Sequence, residues 1–297
     1  MKTVVTLFSG GGLKALGAKM AGYVPVGAVE YDANIASVYA KNLGGNIFCG
    51  RVEDVDYAQY RGVELAMFSP VCKRASRANL FGGECDLDET SAAAVCRFIE
   101  QALPNKVLVE NVREYENFEA FKSILRTLHA NGYSFTTDVV DAADYGVAQN
   151  RKRLIVRASR VGSVGELPEA ESQACWFKAI EDLVPTFKVS KLAPWQVRRL
   201  PAGLQGPVLI AGGSAGKNIP FRTAGVPSFT IKANAASREP VRMIREDGVV
   251  VELSTRALAR LQSLPDSYEL PENKKLAGTI IGNGVPPMMI QKLLATF

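Results

Sequence analysis

The chain is nearly empty of histidine, with His129 the single one in 297 residues. That excludes a His-rich metal centre and argues against a Ser-His-Asp enzyme. His129 closes an amphipathic run, FKSILRTLHANGY, that reads as a helix ending at Asn131-Gly132, where a histidine is at home in the last turn. Cysteine is sparse and unpaired: Cys49, Cys72, Cys85, Cys96 and Cys175 are odd in number and hold no C-x-x-C spacing. A disulfide framework and a thiolate zinc site are therefore not expected. No run of 18 apolar residues is long enough to span a bilayer, and the start, MKTVVTLFSGGG, passes from a short apolar stretch into glycines without a signal-peptide pattern. The expectation is a soluble, cytoplasmic protein with no metal and no membrane partner. What the chain does hold is a globular balance, 47% apolar and 22% charged, with room for one large or two ordinary domains. Its net charge of +5 is modest, so a polyanionic partner has to be recognised by local basic clusters.

The first half alternates short apolar runs with helical patterns. Strands are predicted at Thr3 to Phe8, Val24 to Glu30, Leu65 to Phe68 and Lys106 to Glu110, and helices at Leu13 to Ala21, Ala33 to Asn42, Thr90 to Leu103 and Phe118 to Asn131. This β-α-β-α order implies an α/β fold with a mostly parallel sheet, ligands sitting at the carboxyl ends of its strands. After about Arg157 the chain turns rich in Gly, Pro and Ser, with β-like pieces in PVLIAG, SFTIKA and GVVVEL, and reads as a small β-rich domain. Helical periodicity returns at Thr255 to Leu264 and at Pro286 to Thr296.

Four places carry chemistry. The turn Phe8-Ser9-Gly10-Gly11-Gly12 allows close backbone approach to a nucleotide-like ligand, and Glu30, at the end of the next strand, suits ribose hydroxyls. A plain strand-to-helix turn reads the same way, and the pattern does not separate a dinucleotide from an adenosyl cofactor. Next, Cys72 follows an apolar strand in SPVCKRAS, where Lys73, Arg74 and Arg77 predict a lowered thiol pKa and a reactive thiolate. Glu110, in Val109-Glu110-Asn111-Val112, ends the neighbouring strand. A thiolate beside a carboxylic acid suits an electron-poor ring, one attacking carbon while the other protonates nitrogen; loop capping is the alternative for Glu110. Last, in QNRKRLIV, a β-segment puts Arg151 and Arg153 on one face, suited to a phosphate or a base carbonyl, though such runs are often only solvated.

These four, followed by RALARLQSLPDSY from Arg256 and IGNGVPP from Ile281, resemble the DNA cytosine-C5 methyltransferase family in motif content and order. The resemblance runs from Phe8 to Pro287, with about Val161 to Ser254 unmatched in detail. It implies a Rossmann-like S-adenosylmethionine-dependent domain of residues 1–177 plus 277–297, and a target-recognition domain and hinge of 178–276. By the same resemblance Phe8, Gly10, Gly12, Glu30, Tyr31, Arg51, Val52, Pro70, Asn283 and Val285 line the S-adenosylmethionine site, with Glu30 on the ribose. Cys72 attacks C6 of a cytosine, Glu110 holds N3 and the exocyclic amine, Arg153 fixes the base carbonyl, and Arg151 takes a phosphate or the Cys72 loop. The family flips its target base out of double-stranded DNA. Ser76, Lys217, Thr230 and Arg238 are the expected DNA contacts, with IAGGSAGKN and ANAASR as candidate recognition loops, and a monomer is the expected state.

The chain departs from the family pattern at several points. Val71 stands where Pro usually precedes the nucleophile and Lys73 where Gln follows it; Arg51 stands where an aspartate receives the adenine amine, with Glu53 and Asp54 nearby; Ala257 replaces an acidic residue. These changes keep open an anionic, for example carboxylated, S-adenosylmethionine donor, and a catalytically impaired DNA-binding homologue. An RNA-directed enzyme on the same scaffold and a nicotinamide oxidoreductase are further alternatives, the latter leaving Cys72 and Glu110 unexplained.

Overall fold

The computed structural model describes residues 1–72, 83–213 and 219–297. Ser76 and Lys217, with Lys73, Arg74 and Arg77, lie outside the described residues. The chain forms two compact units, one of residues 1–141, 152–169 and 289–297, the other of 142–151 and 170–288.

In the first unit β1 (Thr3–Leu7), α1 (Leu13–Met20), β2 (Val24–Glu30), α2 (Ala33–Leu43), β3 (Ile47–Cys49), β4 (Leu65–Phe68), α3 (Asp86–Ala102), β5 (Lys106–Asn111), α4 (Glu119–Ala130), β6 (Ser134–Asp141) and β7 (Lys152–Ser159) follow one another. The seven strands are ordered β3-β2-β1-β4-β5-β7-β6, the first five parallel and β7 antiparallel to both its neighbours. This is the expected mixed α/β fold with a large parallel sheet. Strands β1, β4 and β5 are covered on both faces, which is why they read as continuous apolar runs instead of alternating ones. Behind β4, Phe98 of α3 packs 5.3 Å from Phe68 and 5.0 Å from Tyr57 in an aromatic core. Helix α2 starts where the Asp32 carboxylate accepts from the amides of Asn34 and Ile35.

Strand order reverses between β1 and β4, and a crevice opens beyond the carboxyl ends of strands at such a switch point. The register brings the relevant residues level there. Leu7 pairs with both Val29 and Phe68, and Phe68 with Val109, so Glu30, Phe8, Ser69 and Glu110 form one row along the rim. Because β7 runs antiparallel, it enters the sheet at this same rim: Leu154 faces Asn111, and Arg153 falls just beyond the end of β5.

The second unit contains β8 (Lys188–Val189), α5 (Pro194–Val197), β9 (Val208–Ile210), β10 (Phe221–Thr223), β11 (Arg242–Ile244) and β12 (Val250–Glu252), an antiparallel sheet ordered β10-β9-β11-β12-β8. Helices α6 (Thr255–Leu261) and α7 (Lys274–Asn283) follow, and α8 (Pro287–Ala295) runs from this unit into the first. Two expectations are corrected. SFTIKA is irregular rather than a strand, because its backbone groups bond to side chains: Ile231 N–H donates to Gln149 Oε1 at 2.8 Å and Ile231 O accepts from Arg151 at 3.2 Å. Helix α6 stops at Leu261 because Ser263 turns left-handed at φ 59°. Helix α7, which sequence periodicity does not reveal, presents Gly278 and Gly282 to the 232–236 backbone; a Cβ on Gly282 would lie 2.2 Å from Ala233 N.

Candidate active site

The turn after β1 is held from below. Ser9 is buried; its hydroxyl donates to Thr6 O at 2.8 Å and accepts from Val29 N–H at 3.1 Å. Phe8 is forced into the left-handed region at φ 53°, a strained conformation of the kind that clusters at functional sites. Gly12 caps α1 at φ 89°, and a Cβ there would sit 2.4 Å from Leu43 Cδ1, so only glycine fits. At Gly10, φ 57°, a Cβ would meet nothing within 4 Å, so the backbone is open on that side. Glu30 braces the turn: its Oε2 accepts from Gly10 N–H at 2.8 Å and its Oε1 from Asp32 N–H at 3.0 Å. Tyr31 is 75% exposed. Val52 is buried, while Arg51 is exposed and shares a 3.3 Å ion pair with Glu53, a contact worth about 0–1 kcal/mol at a wet surface.

The acid at the centre of the rim is tightly fixed. Glu110 is 6% exposed; Arg153 Nε donates to its Oε1 at 2.9 Å and the Ser69 hydroxyl to its Oε2 at 2.6 Å. Next to it, Asn111 orders the loop that carries Cys72, with Nδ2 donating to Pro70 O at 3.1 Å and Oδ1 accepting from Val112 N–H at 2.8 Å. Cys72 is partly buried against the core. The expected lowering of its pKa is corrected: burial pushes the thiol up to about 11, and the negative charge of Glu110 adds to this. The Val112 amide and the Arg153 cation pull the other way but do not win.

Arg151 does not share a strand face with Arg153. It precedes β7, belongs to the second unit and is 2% exposed, with its guanidinium on the carbonyls of Gly282 at 2.7 Å, Gly284 at 2.9 Å and Ile231 at 3.2 Å. Gln149 and Gln262, both fully buried, extend this network: Gln149 bonds Gln262 Oε1 at 2.5 Å, and Gln262 bonds Gly284 O at 2.6 Å. Of the remaining expected residues in this unit, Thr230 is exposed and donates to Asn150 O at 2.7 Å; Arg238 and Asn283 are exposed, and Val285 is buried.

The first unit thus holds a fixed buried carboxylate and a thiol beside a glycine turn at one rim of its sheet. The family model for C-5 cytosine-specific DNA methylase fits residues 2–191 and 221–297. The chain belongs to that family. This methylase is 28% identical to the Type II methyltransferase M.AplI of Arthrospira platensis, over 98% of its own length and 84% of that protein's. It is 26% identical to M.NlaX of Neisseria lactamica, over 96% of its length and 92% of the relative's. Its fold is that of the S. pombe Dnmt2 methyltransferase, with TM-score 0.76, 15% identity and coverage of 99% and 98%. The Entamoeba histolytica methyltransferase EhMeth gives TM-score 0.73 at 14% identity, over 99% and 97%. The enzyme is thus a DNA (cytosine-5-)-methyltransferase. No helix among its described residues is long and apolar enough to cross a membrane.

Sequence reasoning missed two residues of the methylase's rim, Lys14 and Ser69. Lys14 is 4% exposed although charged, and its ammonium donates to Ser69 Oγ at 2.9 Å and to Leu7 O at 3.3 Å. The available signal was a lysine inside LKALGA, a run whose other side chains suit a buried helix face.

Proposed function

We propose that the enzyme methylates C5 of a cytosine flipped out of sequence-specific duplex DNA, through a covalent bond between Cys72 Sγ and C6, with S-adenosylmethionine as donor. The observation that carries this reading is the Glu110 carboxylate held at both oxygens beside the Cys72 thiol. The donor fits the residues present. An open backbone at Gly10, a carboxylate at Glu30 and an exposed ring at Tyr31 suit the polar and aromatic parts of an adenosyl group. Phe8, Gly12, Val52 and Pro70 belong to the same surface by motif, and Asn283 and Val285 are assigned to the donor by the family resemblance alone. When bound, S-adenosylmethionine supplies an electrophilic methyl group.

The chain's own groups do the rest. Cys72 releases its proton to solvent and its sulfur bonds to C6, the ring electrons move toward N3, and N3 takes a proton that reaches it through Glu110. That leaves C5 nucleophilic. Arg153 keeps Glu110 from turning away and is positioned for the base carbonyl. After the methyl is in place, water takes the C5 proton, the electrons left behind expel Cys72 as a thiolate, and N3 returns its proton through Glu110, which restores the aromatic ring. Extracting the base from the stack costs a few kcal/mol, which duplex contacts have to offset. We assign these to the 178–276 region, with Thr230 and Arg238 as phosphate or base contacts, together with Ser76 and Lys217. Arg151, whose two terminal nitrogens are held by three carbonyls, orders the 231 and 282–284 backbone instead of meeting phosphate. M.AplI and M.NlaX are Type II methyltransferases, and we assign this enzyme the same restriction-modification setting, as a monomer acting in the cytoplasm.

The test is transfer of labelled methyl to duplex DNA and to tRNA in competition, with Cys72→Ala alongside. Duplex DNA is expected to win, and the variant to transfer nothing above background. Transfer retained by Cys72→Ala overturns the covalent mechanism, and preference for tRNA overturns the substrate. A carboxylated donor is run in parallel because Arg51 replaces the family's aspartate; preference for it overturns the donor.

A further inference from the structure

Among the described residues the buried ammonium of Lys14 has no carboxylate in direct contact; its partners are the Ser69 hydroxyl and the carbonyls of Leu7 and Phe8. Such a charge in a protein interior is costly and needs a reason. Its placement gives one. Nζ donates to Ser69 Oγ at 2.9 Å, which leaves the single serine hydrogen for Glu110 Oε2 at 2.6 Å. Three side chains from α1, the end of β4 and β5 thus form an unbroken donor chain that ends on the acid of the proposed reaction. The other oxygen of that acid is taken by Arg153, which carries no transferable proton at working pH.

We propose that Lys14 is a positioning residue that resupplies Glu110 with its proton through Ser69. This rests on the function proposed above. As negative charge develops on N3, a Lys14 ammonium proton passes to Ser69 Oγ, the Ser69 hydroxyl proton passes to the Glu110 carboxylate, and Glu110 hands a proton on to N3. Glu110 and Ser69 end unchanged, and Lys14 ends as a neutral amine. The reverse transfers, as the sulfur–carbon bond breaks, restore the ammonium. Burial lowers the pKa of Lys14 to about 8, against the charges of Glu110 on β5 and Glu30 on β2, which hold it up. A lysine so poised gives up a proton far more readily than one in water. Around the chain stand Arg153 on β7 and Cys72 beyond β4, the latter titrating at about 11. In the wild type, turnover is therefore expected to rise with pH through Cys72 and fall above about 8 as Lys14 loses its proton.

The experiment compares the pH profile of kcat on duplex DNA for wild type, Lys14→Met, Ser69→Ala and the double variant. A second arm follows the Lys14 13Cε signal through its titration in wild type and Glu110→Gln. General-acid assistance is typically worth about 100-fold or more, so each single variant is expected to lose roughly that much and to lose the fall above pH 8. The double variant is expected to lose no more than either single one, since the groups act as a unit. In the second arm Glu110→Gln is expected to move the Lys14 midpoint down, whether or not the protein turns over. An unchanged alkaline fall in Lys14→Met, additive losses, or an unmoved midpoint overturns the relay while leaving the methylation reading intact. A wild type that transfers nothing to cytosine overturns the reading, and this role for Lys14 with it.

Discussion

The proposed nucleophile, Cys72, is held in its unreactive thiol form in the free enzyme, and that has a measurable consequence. Cys72 titrates at about 11, raised first by burial and then by the Glu110 charge, with Val112 N–H and Arg153 only partly compensating. At pH 8 about one molecule in a thousand carries the thiolate. Alkylation of Cys72 by iodoacetamide should rise roughly tenfold per pH unit from 7 to 10, close to 1000-fold in all, without a plateau. The assay is quenched labelling followed by peptide mass spectrometry, with exposed Cys49 read in the same samples as a reference. Replacing Glu110 by Gln removes the second cause of the shift, so the same curve should move to lower pH while keeping its slope. A rate that levels off below pH 9 in the wild type, or a curve that Glu110→Gln leaves in place, refutes the argument. The thiolate then has to be generated as the cytosine arrives.

Three further outcomes follow from the packing. Gly12→Ala forces a left-handed alanine and pushes its Cβ to 2.4 Å from Leu43 and 2.8 Å from Tyr39; a loss of about 2–4 kcal/mol in urea unfolding is expected by circular dichroism. Gln149→Leu strands Ile231 N–H and Gln262 in a dry interior, at about 2–4 kcal/mol. Both tryptophans, Trp176 and Trp195, lie in the second unit, so their fluorescence should show that unit unfolding first in the variant. Lys14 holds a proton in the unfolded chain up to about pH 10.4 but releases it near 8 when folded. Between those values the unfolded state binds more protons, so this group makes stability rise with pH by about 1.4 kcal/mol per unit. Denaturation of wild type against Lys14→Met from pH 8 to 10 isolates it; a constant difference between the two contradicts the assignment.

The parallel half of the sheet was legible because its central strands are covered on both faces and bounded by turn glycines, as at TVVTLF before FSGGG. The edge strands were not. Strand β6, SFTTDVVD, is half-exposed along its length and mixes polar with apolar residues, and β3 is only three residues long. Helix α7 was hidden by its own glycines, which look like loop signals and instead give the 232–236 backbone a flat surface to pack on. At the rim, the positions of Cys72 and Glu110 were readable from the apolar strands that lead to them, and that of Arg153 from the start of the β-segment that holds it. The Lys14–Ser69 link was not, since it joins α1 to the residue after β4, 55 positions away, a contact no local pattern encodes. Arg151 misled because alternation was carried one residue past the true start of β7, and three carbonyls hold its guanidinium away from the rim. The electrostatics of Cys72 were read from its basic neighbours in sequence, whereas burial and Glu110 set them.

The most direct test of the account is covalent trapping. The enzyme is incubated with S-adenosylmethionine and duplex DNA carrying 5-fluorocytosine, whose C5 cannot lose a proton, and resolved on a denaturing gel with mass spectrometry of the adduct. The account predicts a stable protein–DNA species with the methylated base bonded to the Cys72 peptide. A methylated product with no adduct, or an adduct at another cysteine, contradicts it.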